Sequence, residues 1–80
     1  MTLPILLGMN QDLPKKLSTR LRELRQERGL TQEDAADLCK VPYKNYQWYE
    51  SGTPRDMRLS TLGRIAKGFD MTPSELLDFE

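Results

Sequence analysis

Histidine is absent from these 80 residues, which removes the commonest general base and the commonest metal ligand. A single cysteine, Cys39, cannot close an internal disulfide and is too little for a thiolate zinc cluster. There is no glycine-rich phosphate loop and no nucleophile–base pair, so an enzyme is the least supported class and no cofactor or metal is expected. Long apolar runs are missing too. The longest, Leu3 to Met9, is too short to span a bilayer and lacks the basic flank of a signal peptide, so no membrane partner is expected and a reducing, cytoplasmic setting fits. Net charge is also lacking: 12 basic residues face 12 acidic ones, which at first argues against nucleic acid, because phosphate binding rests on Lys and Arg.

What is present is zoned charge. From Lys15 to Arg28 there are six basic and two acidic residues, and from Ser51 to Lys67 four basic and one acidic. Between them, Glu33 to Glu50 holds two basic and four acidic, and four acidic residues stand alone after Gly68. Two basic zones therefore flank a central stretch. At this length the chain is one small domain, whose core is marginal unless its helices pack well or it oligomerises.

The central stretch reads as two short helices. Thr31 is an N-cap for a helix reaching about Leu38 or Cys39, with Gln32, Glu33 and Asp34 at its positive end. Val41 precedes a proline and is pushed out of the helical region, while Pro42 can open a second helix, Tyr43 to Glu50, that stops near Gly52. Two short helices joined by about three residues make a helix-turn-helix. Before it, Leu17, Leu21 and Leu24 recur at helical spacing from Pro14 to Gly29. After it come a polar loop from Thr53 to Arg58 and a helix with Leu59, Leu62, Ile65, Ala66 and Phe69 that ends about Lys67 or Gly68. A capping box at Thr72-Pro73-Ser74-Glu75 then opens a fifth short helix. Residues 1–14, with Pro4 and Gly8 as breakers, show no helical period and read as an N-terminal arm. Leu3, Ile5, Leu6 and Leu7 in it are expected to pack on their own core or on a second copy as a strand pair, against the alternative of an ordered tail. The expectation is all-α, an arm over 1–14 and a five-helix domain over 15–80.

These residues resemble the lambda-repressor/Cro-like helix-turn-helix proteins, the XRE family. The match runs through Leu21-Arg22-x-Leu24-Arg25-x-Glu27-Arg28-Gly29-Leu30-Thr31-Gln32-Glu33, then Ala36, Val41, Glu50 and Gly52, then Leu59-x-x-Leu62-x-x-Ile65-Ala66, roughly residues 17 to 77. In helix-turn-helix docking the second helix lies in the major groove, and its outward face here is Tyr43, Lys44, Gln47 and Trp48. Lys44 can donate to guanine O6 or N7, Gln47 can pair with adenine, and the two aromatics can meet a thymine methyl or sugar. A merely aromatic surface is the bland alternative. Tyr46 and Tyr49 fall on the opposite face, where the family has aliphatic core residues, and Cys39 falls on an apolar core position.

The resemblance further implies phosphate contacts by Gln32, Ser51, Arg55 and Arg58, each otherwise a solvated polar residue, and a partly buried structural ion pair between Arg25 and Glu50. Glu33, Asp34 and Asp37 form an acidic strip that serves the helix dipole and solubility, or touches RNA polymerase as in some relatives. The chain departs from the pattern at Lys40, where a turn glycine is usual and a left-handed lysine costs about 1 to 2 kcal/mol, and at Pro42, which replaces a capping Ser or Thr. The sequence thus reads as a bacterial or phage-encoded regulator of repressor or controller type, binding double-stranded DNA as a homodimer on a palindrome. The rival is an antitoxin-type interaction module that masks a toxin with residues 3–9.

Overall fold

Leu21 and Leu24, three residues apart, share one side of a helix, and both are buried. Around that side the chain wraps four more helices. The computed structural model describes residues 3–51 and 56–78, with side chains described from Leu13 onward, and over these residues the chain is all-α. The helices are α1 Leu3–Glu27, α2 Gln32–Cys39, α3 Tyr43–Tyr49, α4 Leu59–Gly68 and α5 Pro73–Leu76. Leu21, Leu24, Ala35, Ala36, Cys39, Val41, Tyr46, Ile65, Ala66, Phe69 and Leu76 form one core.

The ends of the elements follow from local chemistry. Thr31 and Thr72 each accept from the backbone N–H three residues on, while Asp34 and Glu75 accept from the Thr31 and Thr72 N–H in return, so both helices begin on reciprocal capping boxes. Three helices end alike. Gly29, Lys40 and Asp70 each adopt positive φ, and the next residue's N–H reaches back to Arg25, Ala36 and Ala66 carbonyls at 3.1, 3.0 and 2.9 Å. That is the Schellman closure, in which a left-handed residue lets the chain satisfy carbonyls left open at a helix end. Lys40 does take the left-handed conformation, at φ 58°, so the turn between α2 and α3 keeps the usual geometry without glycine.

Three expectations need correction. The irregular conformation foreseen for residues 1–14 is replaced by helix from Leu3, with Pro14 inside α1. A proline deletes one backbone bond, here to the Asn10 carbonyl, and Gly8 weakens a helix without forbidding it; the side chains of Leu3, Ile5, Leu6 and Leu7 lie outside the described residues. Pro42 is the N-cap of α3, at φ −60° and ψ 141°, and not its first helical residue. Leu59, placed on the apolar stripe of α4, is 83 % exposed. The stop at Gly52 lies outside the described residues.

A close approach of α4 to α2 tests the packing. A Cβ added at Gly68 would lie 2.8 Å from Cys39 Cα and 2.9 Å from the Leu38 carbonyl oxygen, both backbone atoms that cannot swing aside. Gly68→Ala is therefore expected to lower stability by about 1 to 3 kcal/mol. Gly63→Ala, one turn earlier with open space around it, should stabilise by about 0.5 to 1 kcal/mol through helix propensity. Paired thermal melts check both signs.

Candidate nucleic-acid interface

α3 is seven residues long and anchored by what lies at its inner face and its end. Tyr46 is fully buried in the core, and Glu50, the residue that caps the helix, is 4 % exposed. A buried carboxylate is tolerable only when donors surround it. Arg25 supplies a two-pronged contact, Nε to one Glu50 oxygen at 2.8 Å and Nη2 to the other at 3.1 Å. Gln32 Nε2 donates to the carboxylate at 3.2 Å, and the Tyr46 hydroxyl is buried beside it, short of hydrogen-bond geometry. Burial pushes the Glu50 carboxyl up, but hydrogen bonding from Arg25 and the neighbouring Tyr46 and Gln32 outweighs this and holds it below its ordinary value. Hydrogen bonding to Glu50 raises Arg25 in turn. The expected structural ion pair is thus present.

Two α1 residues absent from the expected site finish the anchor. Arg22 Nη2 donates to the Glu50 carbonyl at 2.8 Å, and Ser18 Oγ donates to the Ser51 carbonyl at 3.0 Å. Ser18, Arg22 and Arg25 are spaced four and three apart, one face of α1. That spacing was the available signal.

With its inner face fixed, α3 turns Tyr43, Lys44, Gln47 and Trp48 outward. All four are exposed, Tyr43 by 44 % and Trp48 by 36 %, while Tyr49 is half-buried against the core. The outward face therefore carries a cation, an amide and two aromatic rings.

The flanking residues divide. Arg58 is exposed at the N-cap of α4. The Gln32 amide engages one of its hydrogens with Glu50 and keeps the second. Ser51 differs from expectation: its hydroxyl donates to the Trp48 carbonyl at 2.7 Å, so its one proton closes the helix end. Arg55 lies outside the described residues. Asp34 is engaged in the capping box, while Glu33 and Asp37 are exposed on α2. Cys39 is buried, and burial pushes its thiol up to about 11, the behaviour of a small core hydrophobe.

The first basic zone also has another task. Arg20 donates to the Glu75 carbonyl at 3.1 Å, Arg28 to the Phe69 carbonyl at 3.0 Å, and Arg25 Nη1 to the Leu30 carbonyl at 3.0 Å. Arg28 also lies 5.3 Å over the Phe69 ring. With Arg22, the four arginines from Arg20 to Arg28 fasten the ends of other elements; Arg28 stays exposed despite its contacts, and Lys15 and Lys16 are that zone's other exposed cations.

A short helix held by its back and end, presenting polar and aromatic side chains after a three-residue turn, defines a helix-turn-helix DNA-binding module. The helix-turn-helix domain model matches residues 16–79, and the chain belongs to that family, in its XRE-like form. It is also 37 % identical over 60 residues to the cryptic phage CTXphi transcriptional repressor RstR of Vibrio cholerae, an alignment covering 75 % of this chain and 53 % of that protein. The chain thus spans about half the length of this curated relative. No solved structure matches. Among the described residues, no helix is long and apolar enough to cross a membrane.

Removing Glu50 should strand the Arg25 guanidinium, and Glu50→Ala is expected to cost about 3 kcal/mol in a denaturant titration. The sign with pH follows from the depressed carboxyl. On acidification the unfolded chain takes up this proton first, so the contribution is fully present above the ordinary value of 4.5 and is lost as pH falls through the lower folded value. Melts from about pH 6 to about pH 3 should show this loss in the wild type, and Glu50→Gln should lack that component.

Proposed function

We propose that this chain is a sequence-specific transcriptional regulator of repressor or controller type, which places α3 in the major groove and acts as a homodimer on a palindrome. The observation that carries the proposal is the division of α3: Tyr46 and the Glu50 end are locked inside, while Lys44 and Gln47 stand exposed with Tyr43 and Trp48 beside them. Lys44 donates to guanine O6 or N7 and Gln47 pairs with adenine. Tyr43 and Trp48 pack on thymine methyl groups or sugar. Arg58 and the second Gln32 hydrogen grip phosphates and set the register without reading sequence. The relative described as a phage transcriptional repressor supports the regulatory sense. One α3 reads few base pairs, so two copies on half-sites about 34 Å apart supply the affinity. The exposed carboxylates Glu33 and Asp37 would then be the residues left for a polymerase contact when the operator adjoins a promoter.

Selection of bound fragments from random duplex DNA, followed by footprinting, tests the proposal directly, and a palindromic consensus is the expected result. On the selected duplex, Lys44→Ala with Gln47→Ala should reduce discrimination over scrambled DNA by about 1 to 3 kcal/mol per lost contact, with the melting temperature unchanged. Arg58→Ala should weaken all duplexes alike and lower the salt slope by about one. A double variant as selective as the wild type in fluorescence anisotropy would overturn the assignment of the reading face.

A further inference from the structure

We propose that the first half of α1 is a dimerisation rod that pairs, parallel and in register, with α1 of a second copy of this chain. The proposal deepens the homodimer reading above and rests on it. Once residues 3–13 are helical, Leu3, Leu6, Asn10, Leu13 and Leu17 fall at alternating spacings of three and four along α1. That is an a and d seam, whose last member, Leu17, is half-buried against the domain's own core. An asparagine at one a position is what fixes a two-stranded parallel arrangement, because it meets its own counterpart across the seam and would lie unpartnered in another register. Charge argues for the same occupant. Over residues 3–14 the one charged residue is Asp12, so this stretch offers nothing to a strongly charged partner and no like-charge array that opposes self-pairing.

The seam does not end at the bundle. It runs into an open apolar groove of about 400 Å³ lined by Leu13, Leu17 and Leu59, with Leu13 48 % and Leu59 83 % exposed. A leucine so exposed on α4 beside the exit of the rod extends the apolar surface onto the body of the domain. α1, at 25 residues, is about 38 Å long, and the molecule measures 43 × 23 × 23 Å, so the rod sets the long dimension. A solitary helix of two or three turns is marginal in water, and pairing along its apolar face is the ordinary remedy. Pro14 falls beside the seam, not on it, and removes one backbone bond.

Sedimentation equilibrium of the full chain tests this. The wild type should be dimeric at micromolar concentration, and Leu6→Asp should raise the dimer dissociation constant by at least about a hundredfold, with a thermal melt reporting whether the variant still folds cooperatively. Asn10→Leu should admit species larger than a dimer. Under oxidation Leu6→Cys should cross-link to the identical position of the second copy, and the wild type, whose Cys39 is buried, should not. A wild type monomeric up to about 100 μM overturns both the rod and the dimer reading. Leu6→Asp dimerising like the wild type overturns the rod alone and leaves a dimer built on another surface. Should Leu6→Asp fail to fold, the absence of the Leu6→Cys cross-link overturns the rod by itself. Recognition of a single half-site by monomeric Leu6→Asp would uphold the rod and keep the reading face apart from the dimer surface.

Discussion

One guanidinium holds three helices in place. Arg25 projects from α1, closes on both oxygens of Glu50 at the end of α3, and donates its remaining prong to the Leu30 carbonyl in the turn before α2. Gln32, the first residue of α2, joins from the other side. The geometry is strong because it is planar and bidentate, with both partners charged. It is also demanding. A carboxylate only 1 % exposed is stable there as long as its donors stay, so the arrangement favours one placement of α3 and penalises neighbouring ones. The outward face of α3 inherits its orientation from that constraint.

The same logic explains how a chain with no net charge can belong to a DNA-binding family. Counting basic residues from Lys15 to Arg28 suggests a phosphate footprint, yet Arg20, Arg22, Arg25 and Arg28 each donate to a carbonyl at or beyond the end of another helix or turn. A helix C-terminus carries partial negative charge and unpaired carbonyls, and a cation there satisfies both. These arginines are structural cement of the bundle. The cations facing solvent, Lys15, Lys16, Lys44 and Arg58 among them, are scattered along the chain. Neutrality of the sum therefore says little about affinity, and the first basic zone says less than it seemed to.

Much of the fold was legible because its punctuation is chemical. Thr31 with Asp34, and Thr72 with Glu75, announce helix starts through side chains that reach known backbone atoms, and Gly29 announces a left-handed stop. Lys40 and Asp70 make the same stop without announcing it, since the cost of a left-handed lysine or aspartate is outweighed by core packing of Val41 and the half-buried Met71 behind it. Pro4 and Gly8 misled in the other direction: each breaks a helix on average, yet a proline in the first turn of α1 has no backbone bond to lose, and a glycine weakens a helix without forbidding it. Leu59 failed for a different reason. Periodicity reports which residues share a face, and not whether the chain itself covers the far end of that face. Of the site, the inward and outward sides of α3 were readable from spacing, whereas for Ser18 and Arg22 spacing shows only that they share a face of α1 with Arg25; that this face grips the end of α3 depends on how α1 lies across it, a tertiary fact.

In the proposed dimer α1 has a double employment that links assembly to recognition. The residues that grip the end of α3 sit on α1 at Ser18, Arg22 and Arg25, immediately after the seam that reaches Leu17. In the proposed dimer one continuous rod fixes the partner at one end and the reading helix at the other. Helix is stiff over such lengths, so the separation and tilt of two α3 helices would be set by the pairing register of the rods, with no flexible linker between. Half-site spacing would then be a property of α1, while base preference would be a property of the outward face of α3. Substitutions in one should leave the other intact, because Tyr46 and Glu50 isolate the reading face from the rod as firmly as they attach it.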